Sequence, residues 1–247
     1  SMDSTTIENP VSLDQRGDVE TNSGLRLLTR QVPQEELTDL LGSVTFIRLS
    51  KLDSTFRAAV DSITNAIDID VPDKPLNQNE KYSKYTPGTK KPKYLDQIAY
   101  IGDWVTIGIL AKKSFPKVSS RNTNYMVVEL HDLKGNHVNV FIFGKVFDSL
   151  SKTPIGTVVG LLNVKVLPAA ERNSSVALNV DDEDKWMNIG TSASLGFCTM
   201  TMDPKSGIMY KNKRSKLEEK KSNTCGRIIN KDTSELCEVH ILERYKK

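Results

Sequence analysis

Five stretches of alternating apolar residues between positions 105 and 180 constrain the fold of this chain more than any other feature. Successive side chains of a β-strand point to opposite faces, so this alternation is typical of strands with one buried face. We therefore expect a mainly β core. The predicted inner sets are, in chain order, Val105, Ile107, Ile109 and Ala111; Met126, Val128 and Leu130; Val138, Val140 and Ile142; Val158, Leu162, Val164 and Val166; and Val176, Leu178 and Val180.

The connections between these stretches limit the strand topologies that are possible. Leu133–Asn136 (LKGN) indicates a hairpin turn, with Gly135 available for a positive φ. Lys145–Lys152 indicates a short helix that ends at Thr153 and Pro154. Three strands, a helix and two strands is the order of a five-stranded OB-fold, a Greek-key barrel whose outer face and loops bind oligonucleotides. Other five-stranded barrels share parts of this order and remain open at this point.

The segment before the barrel has a different composition. Residues 1–24 are rich in Ser, Thr, Asn and Asp without apolar periodicity, which is typical of disorder. An N-terminal arm follows, with a helix predicted around Leu37–Leu41, a strand over Val44–Leu49 and a second helix over Ser54–Ala66. The predicted division is 1–24 disordered, 25–67 helical and strand arm, 68–95 linker, 96–182 OB-fold barrel and 183–247 CCCH zinc finger.

The three cysteines of the chain lie in its last fifth, beside one of its three histidines. Cys198, Cys225, Cys237 and His240 have the spacing C-x26-C-x11-C-x2-H. Zn²⁺ in structural sites takes four thiolate or imidazole ligands in a tetrahedron, and a C-x2-H pair supplies two of them from one short segment. We expect one structural Zn²⁺ here, and the alternative is three buried thiols beside a surface histidine. We interpret His131 and His137, which have no cysteine nearby, as ordinary residues.

The outer face of the predicted barrel carries aromatic rings. If Val138, Val140 and Ile142 point inward, then Phe141 and Phe143 point outward, together with Tyr125 on the neighbouring strand. Such rings can stack on the bases of single-stranded DNA. The alternative is that the short helix, the N-terminal arm or the finger covers them as a second core.

Basic residues are also predicted near these rings. Lys112, Lys113 and Lys117 surround Phe115 in the segment where an OB barrel carries its first binding loop, and such lysines can neutralise phosphates. A solvated polar loop is the alternative. The last 50 residues hold 12 Lys or Arg against 7 Asp or Glu, a larger local excess than the whole-chain net charge of +3. The predicted phosphate contacts in this region, between the first two cysteines, are Lys211, Lys213, Arg214 and Lys216.

Several function classes find no support in the sequence. It has no run of 18 apolar residues and no secretory signal, so we expect no membrane partner. It has no phosphate-binding loop, serine-hydrolase elbow or zinc-protease motif. The run Asp181–Asp184 (DDED) could serve a metal-dependent nuclease, but acidic runs in turns are usually solvated. We therefore expect a protein that is not an enzyme.

The sequence contains a distinctive set of motifs: SGLRL from Ser23, Phe46–Lys51 (FIRLSK), Asp103–Lys113 (DWVTIGILAKK), Phe141–Val146 (FIFGKV), Lys152–Asn163 (KTPIGTVVGLLN), Leu195–Cys198 (LGFC) and the CCCH set. Taken together, these segments resemble the internal domain of the minichromosome maintenance protein 10 family. The resemblance extends over about Ser23 to Lys247 apart from the linker. The gap between Cys198 and Cys225 is wider than is typical of that family.

The resemblance implies a nuclear DNA replication factor that binds single- and double-stranded DNA through the barrel cleft and the finger. It also implies association with the replicative helicase complex and with DNA polymerase alpha-primase, and roles in replication initiation and at the fork. By position in the motif, Cys198, Cys225, Cys237 and His240 correspond to the zinc ligands of the family. A different class also remains open: a protein-interaction hub whose aromatic and basic surfaces bind acidic partners instead of DNA.

Overall fold

The computed structural model describes residues 18–58, 102–120, 122–167, 175–200 and 224–245, and most of its regular structure is strand. The helices are α1 (Gln34–Leu41), α2 (52–58), α3 (Phe147–Leu150) and α4 (Glu238–Tyr245). The strands are β1 (Asp18–Val19), β2 (Arg26–Arg30), β3 (Thr45–Phe46), β4 (Trp104–Lys113), β5 (Lys117–Val118), β6 (Asn124–His131), β7 (His137–Phe143), β8 (Thr157–Leu162), β9 (Lys165–Leu167), β10 (Ala177–Val180), β11 (Trp186–Ser192), β12 (Leu195–Phe197) and β13 (Ile228–Asn230). No helix within these residues is long and apolar enough to cross a membrane.

The central sheet closes into a barrel because one stretch of chain pairs on both of its edges. Its strands follow the order β8-β4-β6-β7-β10-β9. β8 pairs antiparallel with β4, while β9 pairs antiparallel with β10, which runs parallel to β7. Only two residues separate β8 from β9, so the predicted fourth strand is divided in two. The mainly β character predicted from the sequence is confirmed.

Asn163 produces the bend between β8 and β9. Its φ is 46°, a left-handed conformation in which Asn is one of the few favourable residues other than Gly. The side-chain oxygen accepts a hydrogen bond from the Trp104 backbone N–H at 2.8 Å, and the side-chain amide donates to Asp103 at 2.8 Å. These bonds hold the bend against the start of β4. The chain therefore stops pairing with β4 at the end of β8, and β9 pairs with β10 instead.

The barrel interior confirms the inner residues predicted for the second, third and fifth strands, all of which are buried in one cluster. For the first and fourth strands the predicted sets are partly wrong. Ile107, Ile109 and Val158 pack outside the barrel, whereas Trp104 and Leu110 fill its interior. The reason is that β4 is buried on both faces from Trp104 to Ala111. Apolar alternation cannot identify the inner face of such a strand.

The N-terminal arm covers the outer face of β4. β2 pairs antiparallel with β11, and Leu37 of α1 is buried against the barrel wall. The apolar cluster between arm and barrel contains Leu25, Leu27, Leu37, Ile107, Ile109, Val158 and Ile189. The arm is therefore part of the same folded unit as the barrel.

Parts of the predicted arm differ from the structure. The strand expected over Val44–Leu49 is limited to Thr45–Phe46, which pairs parallel with β4 and is followed by a 3₁₀ turn at Leu49–Lys51. Phe56 of α2 is fully buried and packs edge-on against the Trp104 ring, with centroids 5.1 Å apart. The predicted α1 is confirmed and ends at Gly42.

The predicted boundaries also differ at two places. Residues 18–24 belong to the fold, because β1 pairs with β2 and the buried Glu20 carboxylate accepts hydrogen bonds from the Asn22 and Ser23 N–H groups. The segment 183–247 begins with β11, a strand of the large sheet. The linker 68–95 and residues 1–17 lie outside the described residues. The predicted short helix after β7 is a 3₁₀ turn (Gly144–Val146) followed by α3.

Candidate metal centre and nucleic-acid interface

Three short elements bring the cysteines and His240 together. β12 and β13 form an antiparallel pair; Cys198 follows β12, and Cys225 comes shortly before β13. Cys237 precedes α4, and His240 lies in the first turn of that helix. The Cys198 N–H donates to Arg227 O at 2.8 Å, and the Cys225 N–H donates to Met200 O at 2.9 Å. These bonds hold the two segments that carry the first two cysteines side by side.

The four ligand atoms lie within 4.8 Å of one another. Cys198 Sγ is 3.3 Å from His240 Nδ1, Cys237 Sγ is 3.4 Å from the same nitrogen, and Cys225 Sγ is 3.9 Å from Cys237 Sγ. A tetrahedral Zn²⁺ with bonds of about 2.3 Å to sulfur and about 2.0 Å to nitrogen separates its ligand atoms by roughly 3.5–3.8 Å. The Cys₃His group could therefore bind a metal ion with little movement.

The electrostatics of the thiols differ within this group. Burial raises the pKa of Cys198, but hydrogen bonds from the Cys237 backbone, the His240 ring and the Met200 backbone outweigh it and lower the pKa to about 6. Burial raises the pKa of Cys225 above its usual value. Because the thiolate is the form that binds metal, the lowered pKa of Cys198 favours metal binding.

The segment that carries the Cys₃His group comprises β12, β13 and α4 and is called the finger below. The turn after β13 attaches it to the rest of the fold. Asp232, in the turn after β13, forms an ion pair with Arg26 of β2 at 2.8 Å and accepts a hydrogen bond from the Ser194 hydroxyl. The Lys231 N–H also donates to Ser194 O at 2.9 Å. These contacts join the finger to both the arm and the end of β11. The orientation of the finger relative to the sheet is therefore fixed by contacts at more than one point.

The three predicted aromatic residues form one stacked group on the outer face of β6 and β7. Tyr125 lies directly opposite Phe143, with ring centroids 5.0 Å apart and 22° between their planes. Phe141 is 5.9 Å from Phe143 and 6.5 Å from Tyr125. All three are partly exposed. The described part of the arm, residues 25–58, packs on β4, β8 and β11 and does not form a second core over these rings.

The structure separates the three predicted lysines. Lys117 of β5 pairs with Tyr125, so it shares the face of the rings. Lys112 lies on the same face further along the sheet, in an ion pair with Glu129 at 3.1 Å. Lys113 donates to Ser151 O at 2.7 Å near α3, and burial lowers its pKa. Lys113 therefore lies apart from the ring group.

The remaining predicted residues fall outside this arrangement. Phe115, in the connection between β4 and β5, is 75% exposed and is not part of the ring group. Lys211, Lys213, Arg214 and Lys216 lie outside the described residues. Asp181 of the acidic run is paired with Lys165 and Lys185, and the Asp182 carboxylate accepts from the Asp184 N–H at 3.2 Å. These two carboxylates therefore already have partners.

Sequence reasoning interpreted His131 and His137 as ordinary residues and did not recognise that they meet Glu129 on the same outer face. Glu129 links Lys112 to His131, and His131 stacks on His137 directly across the hairpin. The signal was available in the LKGN turn, because a hairpin turn sets the register and hence the residue that faces His131.

Comparison with known proteins agrees with this architecture. A family model described as the MCM10 OB-fold matches residues 88–187. The human protein MCM10 homolog is 30% identical over 147 residues, which are 59% of this chain and 15% of that protein. The zebrafish (Danio rerio) homolog is 29% identical over 59% of this chain and 16% of that protein. The Schizosaccharomyces pombe protein named DNA replication licensing factor mcm10 is 29% identical over 57% of this chain and 21% of its own length.

The chain thus spans about a sixth of the length of the animal relatives that it matches. The family model covers the closed barrel from β4 to the start of β11. The family model matches the barrel, and the relatives align with more than half of this chain, so the chain is similar to the MCM10 family over its OB-fold.

Proposed function

We propose that this chain is the DNA-binding part of a eukaryotic DNA replication factor, and that its barrel binds single-stranded DNA on the outer face of β5, β6 and β7. The observation that carries this proposal is the partly exposed ring group of Tyr125, Phe141 and Phe143 beside Lys117. The names of the relatives, one of them a DNA replication licensing factor, support the biological context.

The ring group has the properties of a stacking surface. Its planes are within 25° of one another, so they present faces of similar orientation to successive bases. Stacking on such rings contributes about 1–3 kcal/mol per base and tolerates any sequence, because every base has a flat face. Lys117 lies on the same side and would supply positive charge for the phosphates, whereas Lys112 on that side is paired with Glu129.

The finger and its insertion extend this interface in the proposal. A structural Zn²⁺ held by Cys198, Cys225, Cys237 and His240 would fix the positions of Cys198 and Cys225, the two residues that flank the insertion. In this proposal, Lys211, Lys213, Arg214 and Lys216 contact duplex phosphates. The ion pair between Arg26 and Asp232 and the backbone bond from Lys231 to Ser194 hold the described part of the finger against the arm and the end of β11.

The wider biological role in this proposal is that of a non-enzymatic scaffold in the nucleus. It would hold DNA near the replicative helicase complex and DNA polymerase alpha-primase during replication initiation and at the replisome. The relatives named as replication proteins support this role. The carboxylates of the Asp181–Asp184 run give no support to a nuclease, because Asp181 is paired with two lysines.

The test compares affinity for single-stranded DNA in Phe141→Ala and Lys117→Ala over a series of salt concentrations. Phe141→Ala should weaken binding about tenfold with an unchanged salt slope, given roughly 1–3 kcal/mol per stacked base. Lys117→Ala should lower the slope by about 0.7, the value for one phosphate contact on a single strand. Lys134→Ala removes the same charge at the opposite end of the β6–β7 hairpin and serves as the control. Folded variants that all bind as the parent chain does would place the site elsewhere.

A protein-interaction hub is the competing function, and the exposed Phe115 favours it because a large apolar side chain at the surface also suits a protein interface. The same titration separates the two. Phosphate neutralisation gives a steep linear fall of log K with log salt, whereas an aromatic-anchored protein interface responds weakly.

A further inference from the structure

A second group of metal-ligating side chains lies on the outer face of the barrel, far along the β6–β7 hairpin from the aromatic rings. It consists of Glu129, His131 and His137, whose ligand atoms lie within 4.8 Å of one another. His131 and His137 are directly opposite each other, and Glu129 is two residues from His131 on the same face. The register of the hairpin therefore brings the three side chains together.

The contacts within the group are close. The two imidazole rings are stacked with centroids 5.1 Å apart and 13° between their planes. His131 Nε2 is hydrogen-bonded to Glu129 Oε1, and a metal ion would replace the proton between these two atoms. His137 is exposed, and its ligand atom lies within 4.8 Å of those of Glu129 and His131.

We propose that Glu129, His131 and His137 form a second metal site, which binds one divalent first-row transition ion such as Zn²⁺ through two imidazoles and one carboxylate. This donor set suits Zn²⁺, Ni²⁺, Co²⁺ or Cu²⁺, whereas Mg²⁺ and Ca²⁺ prefer sites made of oxygen ligands alone. Three protein ligands leave at least one coordination position for water. The site is therefore of a different kind from the four-ligand Cys₃His group.

Lys112 competes with a metal for Glu129. Its ammonium lies 3.1 Å and 3.3 Å from the two carboxylate oxygens, so a bound cation and Lys112 would share the same negative charge. Removing the ammonium should strengthen metal binding, because the carboxylate then interacts with the metal alone. A hydrogen-bonded pair of ordinary histidines would not show this dependence on Lys112.

The experiment uses the full 247-residue chain without an affinity tag, first saturated with Zn²⁺ at one equivalent. Co²⁺ is then titrated by calorimetry and by absorbance. We expect one further equivalent of Co²⁺ without the near-ultraviolet band that a cobalt–thiolate bond produces. His137→Ala should weaken this binding at least tenfold, and Lys112→Met should strengthen it.

The controls keep the result interpretable. His137 is exposed, so its replacement by Ala should leave the fold intact, as circular dichroism would verify. Asn139→Ala changes the residue opposite Glu129 on the same face, contributes no ligand in the proposed site and should bind Co²⁺ as the parent does. The proposal is overturned if the zinc-loaded chain takes up no further Co²⁺, if all bound Co²⁺ shows the thiolate band, or if His137→Ala binds as the parent does.

Discussion

At Gly190, β11 passes so close to β2 that no side chain fits between the two strands. A Cβ built there would lie 2.2 Å from the Thr29 carbonyl oxygen, a backbone atom that cannot move without disturbing the β2–β11 pairing. We expect Gly190→Ala to lower the free energy of unfolding by about 1–3 kcal/mol, as overpacking does. Urea denaturation measures this change.

The matched control for Gly190 is Gly42→Ala. Gly42 has φ −62° and ψ −24° at the end of α1, so an alanine adopts the same backbone without strain. Its free energy of unfolding should stay within about 0.5 kcal/mol of the parent or rise slightly. If Gly190→Ala and Gly42→Ala lowered the free energy of unfolding equally, the contact with Thr29 would not be the cause of the destabilisation.

The lysines at the end of β4 and the start of β5 show what sequence reasoning can and cannot resolve at the scale of single residues. Alternation and composition correctly indicated a basic segment beside outward-facing rings. They could not separate Lys113 from Lys112, because a β-bulge between Leu110 and Lys112 changes the register of β4 against β6. Such a bulge depends on the partner strand, which the local sequence does not specify.

Within the described residues, the finger has a buried cluster of its own with few apolar residues. Besides the cysteines, this cluster contains Ile229 and Leu236, with Met200 and Ile241 partly buried. Such a small core needs a further source of stability, which we assign to the proposed metal. We therefore expect Cys237→Ala, or removal of metal by a chelator, to unfold the finger and leave the barrel folded.

Two probes distinguish the finger from the barrel. Amide exchange should become fast at Ile229 and across α4, while β6 and β7 stay protected by the separate core of the barrel. Ser234→Ala removes a hydroxyl from the same loop without removing a proposed ligand and is the control. Loss of protection across the whole chain in Cys237→Ala would contradict this independence. A native finger in chelator would show that it folds without metal.

The sequence was most informative for elements with one buried face. β6 and β7 have such faces, and their inner residues follow directly from alternation. The inner residues of β10 follow in the same way, although Asn179 on its other face is also buried. β4 and β8 carry apolar residues on both faces because the arm covers them outside, so the sequence indicated strands but not their orientation. The spacing of the cysteines likewise predicted that four ligands meet, while the elements that bring them together follow from the tertiary structure.

At the scale of the whole molecule, the basic insertion between Cys198 and Cys225 should add contacts to duplex DNA. Each phosphate contact contributes about 0.9 to the salt slope on duplex and about 0.7 on a single strand. We expect Ala at Lys211, Lys213, Arg214 and Lys216 to weaken duplex binding more than single-strand binding. Fluorescence anisotropy with both DNA forms measures this.

The matched control keeps the charge of the insertion by changing Lys211, Lys213 and Lys216 to Arg. It should bind both DNA forms as the parent does, since phosphate neutralisation depends on charge. If the Ala variant lost the same affinity for single-stranded and for duplex DNA, the predicted duplex preference of the insertion would be wrong. No loss on either form would leave the insertion without a role in DNA binding.

The pairing of the arm with the barrel also determines how the molecule would respond to a break in its chain. β2 forms a ladder with β11, β3 pairs with β4, and Phe56 packs on Trp104, so residues 18–58 are held by contacts with residues beyond 102. A peptide bond cut between residues 58 and 102 would therefore release neither piece. Two polypeptides made separately and mixed should assemble into one barrel, with the arm acting as a small subunit of a heterodimer.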